Sequence, residues 1–423
     1  MESPVADYLK KVISQCDANQ GGALADYIPE LATADPNKLA LALSTVDGKI
    51  YSSGDDDVEF TIQSMSKPFA YALAIKTHGL EHVLEKVGVE PSGEAFNQIS
   101  LDDKKKTPKN PMINSGAITT HSLLPYDEHT SRTEYLRQFL SELAGRELSI
   151  DESVYQSEMD TAFRNLSIGY MLRTVGVLQQ DPVDIVEGYI RQCAIKVTVK
   201  DLAQITSVFA NGGIQAKTGK RLLDRNIVRQ VLSVMMTCGM YDAAGDWLTT
   251  VGIPAKSGVA GGIIGVLPAQ VGIAVFSPKL DEHGNSVRGV DIFERLSRDM
   301  GLHLMEGTPS AQTILQRRYF ADQNQQVVVY ELVGALQFAE AEMLLRILES
   351  EPSHKSSLVF DLNNLSLIHD VGLRMLLEAF DRLIVENHQV IVIDPDRLLS
   401  QTQTHKGIKL DVYNTVQDYL SNL

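Results

Sequence analysis

Ser64 and Lys67 stand three residues apart in the stretch Thr61-Ile62-Gln63-Ser64-Met65-Ser66-Lys67-Pro68-Phe69. Where a helix opens, positions i and i+3 share one face and their side chains can touch. A serine hydroxyl is a poor nucleophile at its own pKa. A lysine held in a partly desolvated pocket can lose its proton and act as the base that activates it. That is the chemistry of the S-x-x-K pattern. The pattern alone specifies two positions in four, and a helix N-terminus capped by Ser64 or Ser66, with Lys67 in solvent, carries the same letters.

The elements around the pair favour chemistry. Leu39-Ala40-Leu41-Ala42-Leu43-Ser44-Thr45-Val46 reads as a buried strand, Asp47-Gly48 as a hairpin turn, and Ile50-Tyr51-Ser52 as the start of the return strand. Asp55-Asp56-Asp57 is a solvated loop, and Phe60-Thr61-Ile62 a short strand that runs into Ser64. Pro68 is tolerated in a first helical turn, and Phe69 to Thr77 reads as a buried helix. A strand, a tight turn and a buried helix place Ser64 Oγ at a helix N-terminus, where backbone N–H groups and the dipole favour a developing oxyanion.

Other polar groups recur at places that could face the same point. Ala25-Asp26-Tyr27-Ile28-Pro29-Glu30-Leu31 is a turn carrying Tyr27. Pro108-Lys109-Asn110-Pro111-Met112-Ile113-Asn114-Ser115-Gly116 is a loop rich in proline and asparagine that re-enters an apolar helix. Asn114 offers a donor and an acceptor, which suits an amino-acid or amide ligand, though a helix cap would use it too. From 133 to 180 the pattern is helical, and Glu158 and Asn165 lie seven residues apart, two turns on one helix face. Residues 185–210 read as a further long helix that carries Tyr189 and stops at Asn211-Gly212-Gly213. After Met240-Tyr241-Asp242, the run Lys256-Ser257-Gly258-Val259 reads as a strand end. Its lysine supplies a positive field, and its glycine lets a substrate lie close to the backbone.

The totals narrow the classes. The chain has 423 residues, 44% hydrophobic and 22% charged, enough for sizeable cores, and a formal net charge of −16. The only basic run is Lys104-Lys105-Lys106, so neither nucleic acid nor an anionic membrane is expected as partner. Residues 1–22 have no apolar h-region and do not read as a signal peptide, and no run of 18 apolar residues exists. Cys16, Cys193 and Cys238 are odd in number and far apart, which suits a reducing cytoplasm and neither a disulfide framework nor zinc. The ten histidines form no metal motif, and no metal or cofactor is expected. An amphipathic first helix is expected over 5–18. Near residue 305 the character changes. Residues 306–325 are polar and linker-like, and strands alternate with helices over 326–423 as in a small α/β domain.

With Ser64-x-x-Lys67, Asn110-Pro111-Met112-Ile113-Asn114-Ser115-Gly116-Ala117 and Lys256-Ser257-Gly258-Val259 in this order, the first part, taken as a catalytic domain over 1–305, resembles from about residue 5 to 303 the serine-dependent glutaminases, relatives of the serine β-lactamases and penicillin-binding proteins. Val89-Glu90-Pro91-Ser92-Gly93, Val154-Tyr155, Ser157-Glu158, Cys193, Met240-Tyr241-Asp242 and Ser277-Pro278 add to the likeness. The resemblance implies an α+β catalytic domain of the β-lactamase-like fold, with a mostly antiparallel sheet and a helical subdomain. It implies hydrolysis of L-glutamine to L-glutamate and ammonia through an acyl-enzyme on Ser64. Position by position, Lys67 is the base, and Tyr241 passes the proton to leaving ammonia. By the same resemblance, the N–H groups of Ser64 and Val259 would form the oxyanion hole. Tyr27, Asn114, Glu158, Asn165 and Tyr189 hold the amino and carboxylate ends of the substrate. The chemistry agrees, because a carboxylate pairs with an α-ammonium while amides and phenols donate to a carboxylate. The family usually writes Thr/Ser-Gly-Asp-Arg-Asn before its asparagine. Here it is Thr161-Ala162-Phe163-Arg164-Asn165, and Phe163 is expected to pack against a neighbouring helix or subunit.

Residues 326–423 resemble a STAS domain, the anti-sigma-factor-antagonist fold. Asp361-Leu362 and Leu365 through Ile368-His369-Asp370-Val371-Gly372-Leu373 stand where that family often has Asp-Ser-Ser-Gly-Leu. Asp370 takes the place of the serine that is phosphorylated there. A carboxylate is no serine-kinase substrate but could mimic a permanently charged state. The domain is expected to regulate, to dock a protein partner, or to make a homo-oligomer, a dimer or tetramer. Two other readings share these residues. One is a serine acyltransferase acting on β-lactams or peptides, disfavoured by the lack of an export signal and by a polar set suited to a small zwitterion. The other is a partner-binding protein with a dead catalytic part, against which Ser64, Lys67 and Tyr241 stand intact.

Overall fold

A computed structural model of the chain describes residues 4–26, 28–92, 101–102, 104–305, 314–336, 338–349, 356–399, 403–404 and 406–423. The chain divides into two compact units, Met1–Glu306 and Gly307–Leu423.

The first unit opens with α1 (Pro4–Cys16) and the single turn α2 (Pro29–Ala32). β1 (Ala40–Thr45) and β2 (Ile50–Gly54) form the hairpin expected at Asp47-Gly48, with Ser44 opposite Ile50 and Gly48 at φ +88°. β3 (Phe60–Thr61) runs into a 3-10 turn, Gln63–Ser66, and α3 (Lys67–His78) follows directly. Then come α4 (Leu80–Lys86), α5 (Asn114–Ser122), α6 (Arg132–Ala144), α7 (Glu152–Asp160), α8 (Phe163–Thr174) and α9 (Pro182–Cys193). β4 (Lys196–Val197) pairs antiparallel with β3. The unit closes with α10 (Val199–Ala210), α11 (Arg225–Cys238), α12 (Ala244–Thr250), β5 (Ala255–Gly258), β6 (Gly262–Leu267), β7 (Val271–Phe276) and α13 (Val287–Met300).

Its main sheet is antiparallel, in the order β2-β1-β7-β6-β5. Alternation along the strands feeds two cores. Leu41, Leu43, Ile263, Ile273 and Val275 meet Leu9 and Val12 of α1 and Ile292, Phe293 and Leu296 of α13. On the other side Ala40, Ala42 and Ala274, small enough to bring a helix close, belong to one core with Leu202, Ile205 and Phe209 of α10 and with α3. α3 is buried from Lys67 through Ile75 without a break. It therefore has no polar stripe to turn outward, and it runs through the core. A third core joins α5, α7, α8 and α9 through Ile118, Val154, Ile168, Leu172, Ile185 and Ile190.

The long helical stretches divide further than their periodicity suggests. The pattern over 133–180 is α6, α7 and α8, with Ser131 and Asp151 as N-caps that accept from backbone N–H groups of the first turn. Glu158 and Asn165, expected on one helix, lie on α7 and α8. The reading over 185–210 is corrected likewise to α9, β4 and α10. A capping box restarts the chain there, with Thr198 accepting from Asp201 N and Asp201 from Thr198 N.

In the second unit, β8 (Leu315–Phe320), β9 (Val327–Leu336), α14 (Phe338–Glu349), β10 (Ser357–Ile368), α15 (Asp370–Val385), β11 (Gln389–Ile393), β12 (Asp411–Tyr413) and α16 (Val416–Leu420) follow in turn. The sheet order is β12-β11-β10-β9-β8, parallel except for β8. One face packs Val328, Leu358, Phe360 and Val392 against Leu344 and Leu348 of α14 and Leu376, Leu377 and Phe380 of α15. The opposite face gathers Val327, Val329, Val359, Ile391 and Ile393 with Tyr419 of α16. The stretch 306–325, read as a linker, contains β8, an edge strand of this sheet; residues 306–313 lie outside the described residues. Asp370 opens α15 at its first position, and its side chain is outside the described set.

Because each unit has its own core, a chain ending at Glu306 should fold alone. We expect a single cooperative thermal transition from the 1–306 fragment, whereas a cut at Gln323 would leave β8 attached without its sheet. An insoluble 1–306 fragment, measured beside the full chain by calorimetry, would contradict the division.

Candidate active site

The site is built where the sheet edge meets the helical cluster. Gln63, immediately before Ser64, sits at φ +48°, a left-handed conformation that costs a non-glycine residue on the order of 1 kcal/mol or more. Several bonds hold it there. Ser66 Oγ donates to Gln63 O at 2.8 Å, and Gln63 Nε2 donates to Thr61 Oγ1 at 3.3 Å and Glu158 Oε2 at 3.4 Å. The end of β5 packs on this turn. A Cβ at Gly258 would lie 3.1 Å from Ile62 O and 3.4 Å from Gln63 Cβ, so the glycine allows Val259 to come beside Ser64.

Lys67 is 1% exposed. Its Nζ donates to Met112 O at 3.1 Å and to Asn114 Oδ1 at 2.9 Å, both uncharged acceptors. Asn114 in turn donates through Nδ2 to Asn165 Oδ1 at 3.0 Å and accepts from Tyr189 Oη at 3.4 Å. Burial pulls the Lys67 amine down to about 8, against weaker upward pulls from Cys193 and Glu158. A neutral amine has two N–H bonds, which the two acceptors take up, and a lone pair left to receive a proton.

Tyr241 sits at φ +57°, and its hydroxyl donates to the Ser257 carbonyl at 3.4 Å beside Ser64. Burial raises the phenol above its usual value, opposed by the neighbouring Ser257 and Ser64 hydroxyls. Lys256, fully buried, donates to the same carbonyl at 2.8 Å and lies 3.9 Å over the Tyr241 ring. Burial, then the nearby Lys67, press its amine well below the ordinary lysine range.

Ser64, Asn114, Glu158, Asn165, Tyr189 and Val259 share the wall of one cavity of about 180 Å³, below the range of about 300–1,000 Å³ common for drug-sized ligands. Burial lifts the Glu158 carboxyl to about 7, opposed by its bond from Gln63 and by Lys67. Burial also raises Tyr189 and the Cys193 thiol. Tyr241 and Val259 border a second cavity of about 260 Å³. The chain thus brings together Ser64 from the 3-10 turn, Val259 just past β5, and one residue each from α5, α7, α8 and α9. Tyr27 lies outside the described residues. Phe163 is 76% exposed among the described residues, so the expected packing on a neighbouring helix is not seen there. Gln63 and Arg164, which also line the cavity, were missed, and no spacing or motif marked Gln63. Among the described residues, no group of three His, Cys, Asp or Glu side chains could hold a metal ion, and no helix is long and apolar enough to cross a membrane.

An antiparallel sheet beside a helical cluster, with Ser-x-x-Lys at their junction, defines the β-lactamase-like class of fold. Within that class the chain is an enzyme of the glutaminase family: the Glutaminase family model matches residues 22–305, and a STAS domain model matches 320–419. The glutaminase of Corynebacterium glutamicum is 49% identical over 398 residues, covering 94% of this chain and 95% of that protein. Glutaminase 1 of Bradyrhizobium diazoefficiens is 38% identical, over 99% of this chain and 71% of its own length. The crystal structure of Mglu in its glutamate form superposes with a TM-score of 0.88 at 42% identity, covering 94% of this chain and all of that one. A probable glutaminase of Bacillus subtilis covers 71% of this chain and 98% of its own, with a TM-score of 0.67 at 32% identity.

The surroundings of Lys67 make its titration measurable. Its ε-carbon NMR signal should titrate near pH 8 rather than in the ordinary lysine range, as burial demands. Asn114→Asp would set a carboxylate at the 2.9 Å contact and move that midpoint upward. A Lys67 midpoint that stays above about 10 in the unaltered protein would show an ordinary ammonium.

Proposed function

We propose that the chain hydrolyses L-glutamine to L-glutamate and ammonia through an acyl-enzyme on Ser64. The observation that carries this reading is Lys67, buried three residues after Ser64 and bonded to two uncharged acceptors. Its amine takes the Ser64 proton as Oγ attacks the side-chain amide carbon. The N–H groups of Ser64 and Val259 receive the oxyanion. Tyr241, beside Ser64, passes the proton to the departing nitrogen, and ammonia leaves. Water then adds to the ester with the same groups, freeing Ser64 and the new carboxylate. Glu158 pairs with the α-ammonium, and Asn114, Asn165, Tyr189 and Tyr27 hold the α-carboxylate end. The relatives named Glutaminase and the glutamate form of Mglu support the substrate. The small cavity suits one amino acid.

The rest of the reading is coarser. The catalytic part comprises residues 1–305, and the STAS domain regulates, docks a partner or makes a homo-oligomer. Phe163 and Tyr170 lie seven residues apart on α8, 76% and 54% exposed, an apolar face of the kind that subunits cover. Three buried free cysteines suit a reducing cytoplasm.

The test is ammonia release from glutamine and asparagine, and acylation by a labelled penicillin, with Ser64→Ala as control. Glutamine should be the substrate, and Ser64→Ala should lower kcat by about 10³-fold or more. Lys67→Ala should retain under about a tenth of the rate. Ammonia release by Ser64→Ala at the unaltered rate would defeat the acyl-enzyme. The pH dependence follows from two groups. Glu158 carries its anion above about 7, and Lys67 its free amine above about 8, so both working forms are lost as pH falls. kcat/KM should therefore rise on the alkaline side of neutrality, with apparent midpoints that belong to the pair. Glu158→Gln should remove the lower one and raise KM.

A further inference from the structure

A chain of buried polar groups runs from α5 through α9 to the peptide before Ser64. The His121 ring Nδ1 is 2.9 Å from Gln192 Oε1, Gln192 Nε2 donates to Ser66 Oγ at 2.9 Å, and Ser66 Oγ donates to Gln63 O at 2.8 Å. His121, Gln192 and Ser66 are each 1% exposed or less. A carbonyl oxygen only accepts, so His121 Nδ1 carries the proton. Burial presses the ring down to about 4, which keeps it neutral. Every hydrogen in the chain then points the same way, toward the carbonyl of Gln63.

That carbonyl and the Ser64 N–H are two ends of one peptide unit. A hydrogen bond to the oxygen draws electron density from the nitrogen and makes its N–H a stronger donor, and bonds in series reinforce one another. We infer that His121, Gln192 and Ser66 are positioning residues that fix and polarise the Gln63–Ser64 peptide, so that its N–H is poised for the oxyanion. The inference rests on the reading of Ser64 as the acylated residue with its own N–H in the oxyanion hole.

The fold gives the relay its place. Asn114 and His121 lie two turns apart on α5, and Tyr189 and Gln192 one turn apart on α9. The same two helices thus line the cavity and reach behind the nucleophile. A Cβ at Gly188 would lie 2.4 Å from His121 Nε2, so the glycine is what admits the ring against α9. The relay also gives the left-handed Gln63 a partner for its carbonyl.

The test uses the full chain with Ser66→Ala, Gln192→Leu, their combination, and His121→Phe. Four quantities are measured: kcat, KM for glutamine, Kd for L-glutamate, and Ki for a tetrahedral phosphonamidate analogue of glutamine. We expect each single change to lower kcat about tenfold or more and to weaken the tetrahedral analogue by the same factor. Glutamate affinity should stay within about twofold, because the planar product makes less use of the oxyanion donors. The combined variant should be no slower than Ser66→Ala, since Gln192 acts through Ser66. Three results would overturn the inference: unaltered kcat in a folded variant, glutamate affinity falling in step with kcat, or losses that multiply in the combined variant. Thermal midpoints are recorded throughout. If Ser66→Ala does not fold, His121→Phe, the outermost change, decides by the same criteria. Absence of ammonia release by the unaltered protein would sink the parent reading instead, and with it this one.

Discussion

The burial of one amine governs the catalytic unit. Lys67 is almost wholly buried, and both of its hydrogen-bond acceptors are uncharged oxygens. An ammonium in that place loses its hydration without gaining a paired carboxylate, and the amine is lowered to about 8 accordingly. Keeping it so demands a helix buried all round, which is why α3 runs through the core rather than along a surface. It also demands that the loop leading into α5 present Met112 O and Asn114 Oδ1 inward. Asn114 is then tied to Asn165 and Tyr189, so the groups that line the cavity are the ones that hold the buried lysine in place.

The parts legible in the sequence are those that local chemistry dictates. The hairpin at Asp47-Gly48, the turn before Ser64 and the proline after Lys67 are short-range signals, and the chain folds as they imply. Lys256-Ser257-Gly258 could be read as a strand end because its glycine has a steric purpose, the close approach to the 62–65 turn. The resemblance supplied which side chains meet. Physical reading alone gives Asn114 and Glu158 as candidates and cannot place them against Ser64.

Misreadings arose where helices end without punctuation. α7 gives way to α8 at Thr161-Ala162, with neither glycine nor proline, and Thr161 Oγ1 turns back to the carbonyls of Ser157 and Glu158. Periodicity passes through such a break unmarked, so Glu158 and Asn165 looked like one face of one helix. They still meet the same cavity, by tertiary packing rather than by helical phase. β8 was hidden for a different reason. An edge strand bears Gln316, Arg317 and Arg318 in succession, mostly exposed, because polar residues guard an edge against further pairing, and such a strand has the composition of a linker. The relay behind Ser64 had no sequence signal at all, since His121, Gln192 and Ser66 lie on three elements with no shared spacing.

On the proposed reading, the two titrating groups of the cavity also order the reaction. An empty site can hold Glu158 protonated near neutrality, because burial opposes its anion. An arriving α-ammonium favours that anion, and the pair it forms is neutral overall, so Lys67 gains little reason to take a proton. The anchor therefore charges without charging the base. Hydrolysis changes this balance. The amide becomes a carboxylate beside Ser64, an anion close to an amine that burial had lowered to about 8, and Lys67 is drawn further toward its ammonium form. The protonated lysine no longer serves as base, and it recovers that form when glutamate leaves. The same burial that makes Lys67 reactive toward a neutral amide thus makes it sensitive to the charge of the product, and the site resets by release rather than by any separate switch.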